Sequence, residues 1–243
     1  MKTEKLQIQG IPAVIYGGAS ENVWLYVHGK QSAKEAAGRF AETVCAKGWQ
    51  VLSADLPEHG ERSGGPVPLD PWHAVPELRE IFDWASRRWE RKALRCTSLG
   101  TWFSLLALEG EPLERALFVS PVLDMELLIL DMMQWAGVSE ESLEAAGELP
   151  TDLGETLSWE YLQYARRHKI EDWPPPYVHS LRRRRHADSP GSGGAFFQPF
   201  RGGTDGDGKR RALVSHAGTG CVSAPVGGRQ GNPLTIFIKE KLP

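Results

Sequence analysis

Four short apolar runs, separated by helical segments, constrain this chain more than any other feature. Val23 to Val27 (V-W-L-Y-V), Trp49 to Ala54, Lys92 to Thr97 and residues 115–120 read as buried strands. Between them, residues of about 33–47, 75–89 and 99–108 carry helical patterns, and residues just after Met1-Lys2-Thr3-Glu4-Lys5 make a further β-like run. Strands alternating with helices predict an α/β chain with a mostly parallel sheet covered by helices on both faces.

Three of these strands end in turn chemistry. The first runs into His28-Gly29-Lys30, the second into Asp55-Leu56-Pro57-Glu58-His59-Gly60, and the third into Cys96-Thr97-Ser98-Leu99-Gly100. Ser98 thus falls on a tight turn between a strand and the strongly apolar helix that begins at Leu99. A strand-turn-helix elbow needs small residues two before and two after its central serine; it lifts the hydroxyl above the sheet and aims helix N-terminal N–H groups at a developing oxyanion. Gly100 meets the second requirement, and Cys96 stands where a glycine is usual. A serine here is either such a nucleophile or an ordinary helix N-cap.

The set of motifs, H-G after one strand, D-L-P-x-H-G after the next and x-x-S-x-G after the third, resembles the α/β-hydrolase superfamily. Within it, the likeness is to small bacterial serine esterases often labelled lysophospholipase-like, and it runs from about residue 5 to residue 173. The resemblance implies Ser98 as nucleophile, with the backbone N–H groups of Lys30 and Leu99 as the oxyanion hole. It makes His28 and His59 turn-fixing residues rather than bases, and Ser120-Pro121-Val122-Leu123-Asp124-Met125 is typical of the same family. It implies a small-molecule acyl ester as substrate and no cofactor.

Length and composition agree with this fold. A chain of 243 residues with 41% hydrophobic content can bury one large core. No secretory signal and no apolar stretch of membrane-spanning length is expected, so the expected location is cytoplasmic. Cys45, Cys96 and Cys221 are too few and too scattered for a disulfide framework or a zinc site.

From Met125 to Trp173 the pattern turns helical. Met125, Leu127, Leu128, Leu130, Met132, Met133 and Trp135 form a dense apolar surface, followed by an acidic stretch, Ser139 to Glu148, and by Trp159, Tyr161, Leu162 and Tyr164. This region, about 125–173, reads either as a cap over Ser98 whose apolar lining selects acyl chains, or as helices that pack the core.

The last third departs from all of this. All nine tryptophans lie at or before Trp173. The expected domain covers residues 1–177, and residues 178–243 form a Gly/Arg-rich tail with a net charge of +7 against −10 for the rest. Arg182-Arg183-Arg184-Arg185 and the glycine runs that follow permit a reading as a disordered basic segment that binds nucleic acid or an acidic partner. The fold instead expects two further strands here, the first ending in an acid and the second followed by a histidine base, in the order Ser…Asp…His. Neither motif is present. His216 as a substitute base and Asp124 as a substitute acid are the candidates the chain offers, although nothing around His216 resembles a motif that would hold it.

A shift of one base makes the tail family-like. From Leu181 to Gly194 the shifted frame can read Y-G-A-G-D-M-L-T-P-R-E-V-V, with Arg185 as CGA and His186 as CAT giving GAC for aspartate. From Gly203 to Gly220 it can read E-L-T-V-M-E-N-G-E-H-W-F-H-T-P-E-Q, its histidine encoded across Ala212 (GCA) and Leu213 (CTG). Past Cys221 it can continue as A-A-F-L-R-R-W-E, an amphipathic helix. Wobble positions leave several residues open at each junction, yet both motifs fall in order in one frame. The economical reading is a frameshift near Pro174 to Pro176; a solvated loop and a nucleic-acid segment explain less.

Overall fold

The computed structural model describes residues 1–170 and, in backbone only, residues 177–180. Seven strands form one sheet: β1 (Thr3–Ile8), β2 (Ile11–Tyr16), β3 (Asn22–Val27), β4 (Gln50–Ala54), β5 (Arg91–Thr97), β6 (Ala116–Val119) and, closing the described chain, Tyr177–Ser180. The sheet order is β1-β2-β4-β3-β5-β6 and then Tyr177–Ser180. β1 and β2 form an antiparallel hairpin, and β2 joins β4 antiparallel; every other pairing is parallel. The expected boundary between residues 177 and 178 falls inside the last strand.

The sequence of each central strand explains why it lies between two layers. Along β3, Val23, Leu25 and Val27 join the core under helices α2 (Pro71–Ser86) and α3 (Leu99–Ala107), whereas Trp24 and Tyr26 join Phe40, Ala41 and Val44 of helix α1 (Gly38–Cys45). All five strand residues are buried, so the run needs no polar face. The single helix expected over residues 33–47 is two pieces, a 3-10 turn at Lys34–Ala37 and then α1.

The path of the chain fixes where a site can form. From β3 it crosses through α1 to β4 on one side, then returns through α2 on the other face to β5, which pairs with β3 on its free side. The strand order therefore reverses between β3 and β5, and the carboxyl ends at such a switch point form a crevice. Val27 pairs with Cys96, so the loop from His28 and the turn at Ser98 leave adjacent strands at the same level.

The region after Asp124 is helical only in part. α4 (Met125–Ala136) and α5 (Glu140–Ala146) are followed by a two-stranded hairpin, β7 (Glu148–Pro150) and β8 (Thr156–Ser158), and then α6 (Trp159–Arg167); Tyr177–Ser180 is β9. Ser139 and Ser142 form a reciprocal capping box that starts α5. Arg166 joins α6 to Glu126 of α4 and Glu140 of α5, and Leu143, Leu157 and Leu162 are fully buried. The hairpin interrupts the expected run of helices because Gly147 and Gly154 take positive φ on either side of β7.

Candidate active site

Ser98 has φ 50° and ψ −124°, a conformation that costs about 1–3 kcal/mol for a residue with a side chain and persists only where its surroundings hold it. They do so from three directions. Ser98 N–H donates to Val119 O at 3.0 Å, and Ser98 O accepts from Thr101 N at 3.0 Å and from Val122 N at 3.2 Å. Its side chain makes no cap bond to α3, and its hydroxyl makes no hydrogen bond to any described residue. An ordinary N-cap uses that oxygen.

The two glycines of the motifs interlock. A β-carbon on Gly100 would stand 2.2 Å from His28 O, and one on Gly29 would stand 3.1 Å from Thr97 O and 3.2 Å from Ser98 Cβ. Glycine at both positions lets the start of α3 and the His28-Gly29-Lys30 loop close on each other. Cys96 is tolerated in place of a glycine because its thiol faces the core beside Ser104, fully buried; burial pushes its pKa up to about 12, so it packs and does not react.

Among the described residues, neither Lys30 N–H nor Leu99 N–H donates to another group. Leu99 opens α3 directly after Ser98, and Lys30 follows Gly29, whose added β-carbon would stand 3.2 Å from Ser98 Cβ. The loop bearing Lys30 is held by histidines. His28 Nε2 accepts from Leu56 N at 3.1 Å while Nδ1 lies 2.8 Å from Gly29 O; His59 Nε2 accepts from Gln31 N at 2.9 Å while Nδ1 lies 2.7 Å from Pro57 O. These partners set the Nδ1–H tautomer in both rings. Burial, aided by the neighbouring His59, lowers the His28 pKa despite its bond to Gly29. Both rings fix turns, and neither has a nitrogen left for a proton relay.

Beneath this loop lies a buried ion pair that the sequence did not single out. Asp55 accepts from Lys34 Nζ at 2.6 Å, Lys34 N at 2.9 Å and Glu61 N at 3.0 Å. Burial alone would lower the Lys34 pKa, but hydrogen bonds to Asp55, Glu61 and Glu35 outweigh it and hold the ammonium well above the usual lysine value. Burial alone would raise the Asp55 pKa, but the bonds from Lys34 Nζ, Lys34 N and Glu61 N outweigh it and lower the pKa. A β-carbon on Gly60 would overlap the Asp55 carboxylate, which explains the glycine of the second motif.

Asp124 is exposed and caps α4, its Oδ1 accepting from Leu127 N at 2.9 Å. His216, Cys221, Arg182 to Arg185 and the whole of residues 181–243 lie outside the described residues. One further acid–histidine pair, missed by sequence reasoning, stands at the start of α2, where Asp70 caps the helix and contacts His73 Nδ1 at 2.7 Å. His168 stacks on Tyr164 at the end of α6. Above α3, Trp102 stacks on Tyr161 and meets Tyr164 edge-on, with Trp72 against both tyrosines, so α6 is seated by aromatic contacts one turn from Ser98.

Comparison with solved structures decides the fold. Est1E from Butyrivibrio proteoclasticus, in a structure with ferulic acid bound, superposes with a TM-score of 0.54 at 17% identity over 72% of this chain and 77% of that one. A second Est1E structure gives 0.55 at 16% over 74% and 76%. A candidate hydrolase from Agrobacterium vitis S4 gives 0.56 at 14% over 73% and 77%. The fold is the α/β-hydrolase fold. Protein-family models and curated sequences give no match. In this hydrolase fold the strained Ser98 stands at the switch point of the sheet, and no helix among the described residues is long and apolar enough to cross a membrane.

Proposed function

We propose that this chain is built as a serine hydrolase for carboxylic esters or similar small acyl substrates, without a cofactor. The observation that carries the reading is Ser98 at φ 50° with its hydroxyl uncommitted, next to Leu99 and across from the His28-Gly29-Lys30 loop, with the N–H groups of Lys30 and Leu99 unbonded among the described residues. Ser98 Oγ would attack the carbonyl carbon, and the two N–H groups would stabilise the oxyanion of the tetrahedral intermediate. The proton of Ser98 needs a base, which in turn needs an acid to orient it.

That relay is the part the described residues do not supply. His28 and His59 are spent on backbone groups, and His73 is bound to Asp70 with no contact to Ser98. We attribute the deficit to a one-base shift of the reading frame near Pro174 to Pro176, which would replace the acid and histidine of the C-terminal third by residues 178–243. The chain as it stands is then an impaired esterase, or an inactive member of the same fold if the residual chemistry is too slow to detect.

The test is labelling of the full chain with a fluorophosphonate, together with hydrolysis of p-nitrophenyl acetate and of methyl ferulate, the latter chosen because Est1E is seen with ferulic acid. Slow labelling that Ser98→Ala abolishes supports the reading. Hydrolysis unchanged in Ser98→Ala would refute it.

A further inference from the structure

We propose that Glu155 is a positioning residue for the oxyanion loop. The proposal rests on the reading of Lys30 as an oxyanion donor. The Lys30 ammonium forms an ion pair with Glu155, a residue 125 positions away at the tip of the β7–β8 hairpin. Among the described residues, Glu155 is the acidic partner of Lys30.

The groups already described pin the loop to one segment of the chain. His28 binds Leu56 N, His59 binds Gln31 N and Asp55 binds Lys34 N, all from the segment after β4. Between these anchors the chain turns at Gln31 with φ 60°, a strained value for glutamine, and Lys30 stands just before it. The Lys30 side chain adds an attachment to a separate element, the β7–β8 hairpin. A donor N–H is worth most to a transition state when its direction is fixed in advance.

Glu155 is itself presented by a closed turn. Thr151 N and Thr151 Oγ1 both donate to Glu155 O, at 2.9 and 2.8 Å, and Gly154 N donates to Thr151 O at 3.1 Å, with Gly154 at φ 76°. Leu157, two residues on, is buried in the main core. The hairpin therefore offers its carboxylate from a fixed backbone. Lys30 and Glu155 side chains are 44% and 34% exposed, so the pair is of the weak, salt-sensitive kind. Its rupture is expected to change loop order by about threefold to fivefold.

Hydrogen exchange of the full chain, read on peptides covering residues 28–34 and 91–97, tests the contact. Glu155→Gln should raise exchange in 28–34 by about threefold to fivefold and leave 91–97 unchanged. About 0.5 M NaCl, where the Debye length is roughly 4 Å, should act on the unmodified chain in the same way. Exchanging the two charges, Lys30→Glu with Glu155→Lys, should restore protection. Unchanged exchange in Glu155→Gln overturns the proposal. The rate of Ser98 phosphonylation supplies the functional arm and should fall by a similar factor in Glu155→Gln. Raised exchange with an unaltered labelling rate also overturns it. Raised exchange with Ser98 unreactive in every variant overturns the functional role and leaves Glu155 as a structural anchor in an inactive member of the fold.

Discussion

Gly100 and His28 approach so closely that a β-carbon on the glycine would stand 2.2 Å from the His28 carbonyl oxygen. The contact joins the helix that starts after Ser98 to the loop that carries Lys30, and it is made between two backbones. Neither side can move aside by changing a rotamer.

Gly100→Ala should therefore destabilise the fold by about 1–3 kcal/mol, as overpacking does in a rigid site. Gly18→Ala is the control: nothing lies within 4 Å of its added β-carbon, so it should be neutral or stabilise by up to about 1 kcal/mol. Urea midpoints of the two variants decide the matter. A Gly100→Ala protein as stable as Gly18→Ala would show that the two loops need not touch.

Asp55 and Lys34 make the second prediction. Their side chains are 0% and 1% exposed, and the carboxylate also holds two backbone N–H groups. Asp55→Asn removes the one fully buried carboxylate of the three around the Lys34 ammonium, leaves only the half-exposed Glu35 and Glu61, and should cost up to about 3–5 kcal/mol. Because the Asp55 pKa is lowered in the folded chain, its contribution is present above the unfolded value of 3.8 and disappears as pH falls through the lower folded value. Wild type and Asp55→Asn should thus differ most near neutrality and converge in strong acid. A difference independent of pH would mean that packing, and not charge, carries the effect.

His28 gives a spectroscopic prediction. Its pKa lies below 6.5 because burial disfavours the charged ring, and protonating Nε2 would remove the acceptor for Leu56 N. Stability linked to this ring is complete above 6.5 and is lost as pH falls from 6.5 through the folded value, where the unfolded chain binds the proton more readily. Nitrogen-15 shifts should show Nδ1–H with Nε2 unprotonated near pH 8, and a titration midpoint for His28 below 6.5. A midpoint above 6.5 would contradict the tautomer set by Gly29 and Leu56.

The central fold was legible because it is written in local patterns. V-W-L-Y-V reads as a strand buried on both faces, and Gly100 stands where the turn after Ser98 demands a small residue. What escaped the sequence depends on distant partners. Lys34 reads as one more charged residue until Asp55, 21 positions on, is folded beneath it, and Glu155 is ordinary until a hairpin lifts it to Lys30. The hairpin itself was masked by the helical composition around it, since three-residue strands carry too little period to register. Asp70 and His73 had a local signal, an acid three residues before a histidine at a helix start, which went unread.

The last prediction concerns the C-terminal third. The mechanism drawn for Ser98 requires an acid and then a histidine after β6, and the shifted frame offers both in that order, with the histidine encoded across the present Ala212 and Leu213 codons. The gene sequence over these codons is the first check, because a frame that cannot encode histidine there ends the idea without any protein. Where it can, a one-base change near the codons for Pro174 to Pro176 should give a protein with at least ~10³-fold higher esterase activity, the scale expected when a relay is regained around an existing nucleophile and oxyanion site. The gain should vanish when the restored histidine is replaced by alanine, and also in Ser98→Ala, since members of one relay fail together. A repaired chain no more active than the original would mean that residues 178–243 are native sequence and that Ser98 works, if at all, without that histidine.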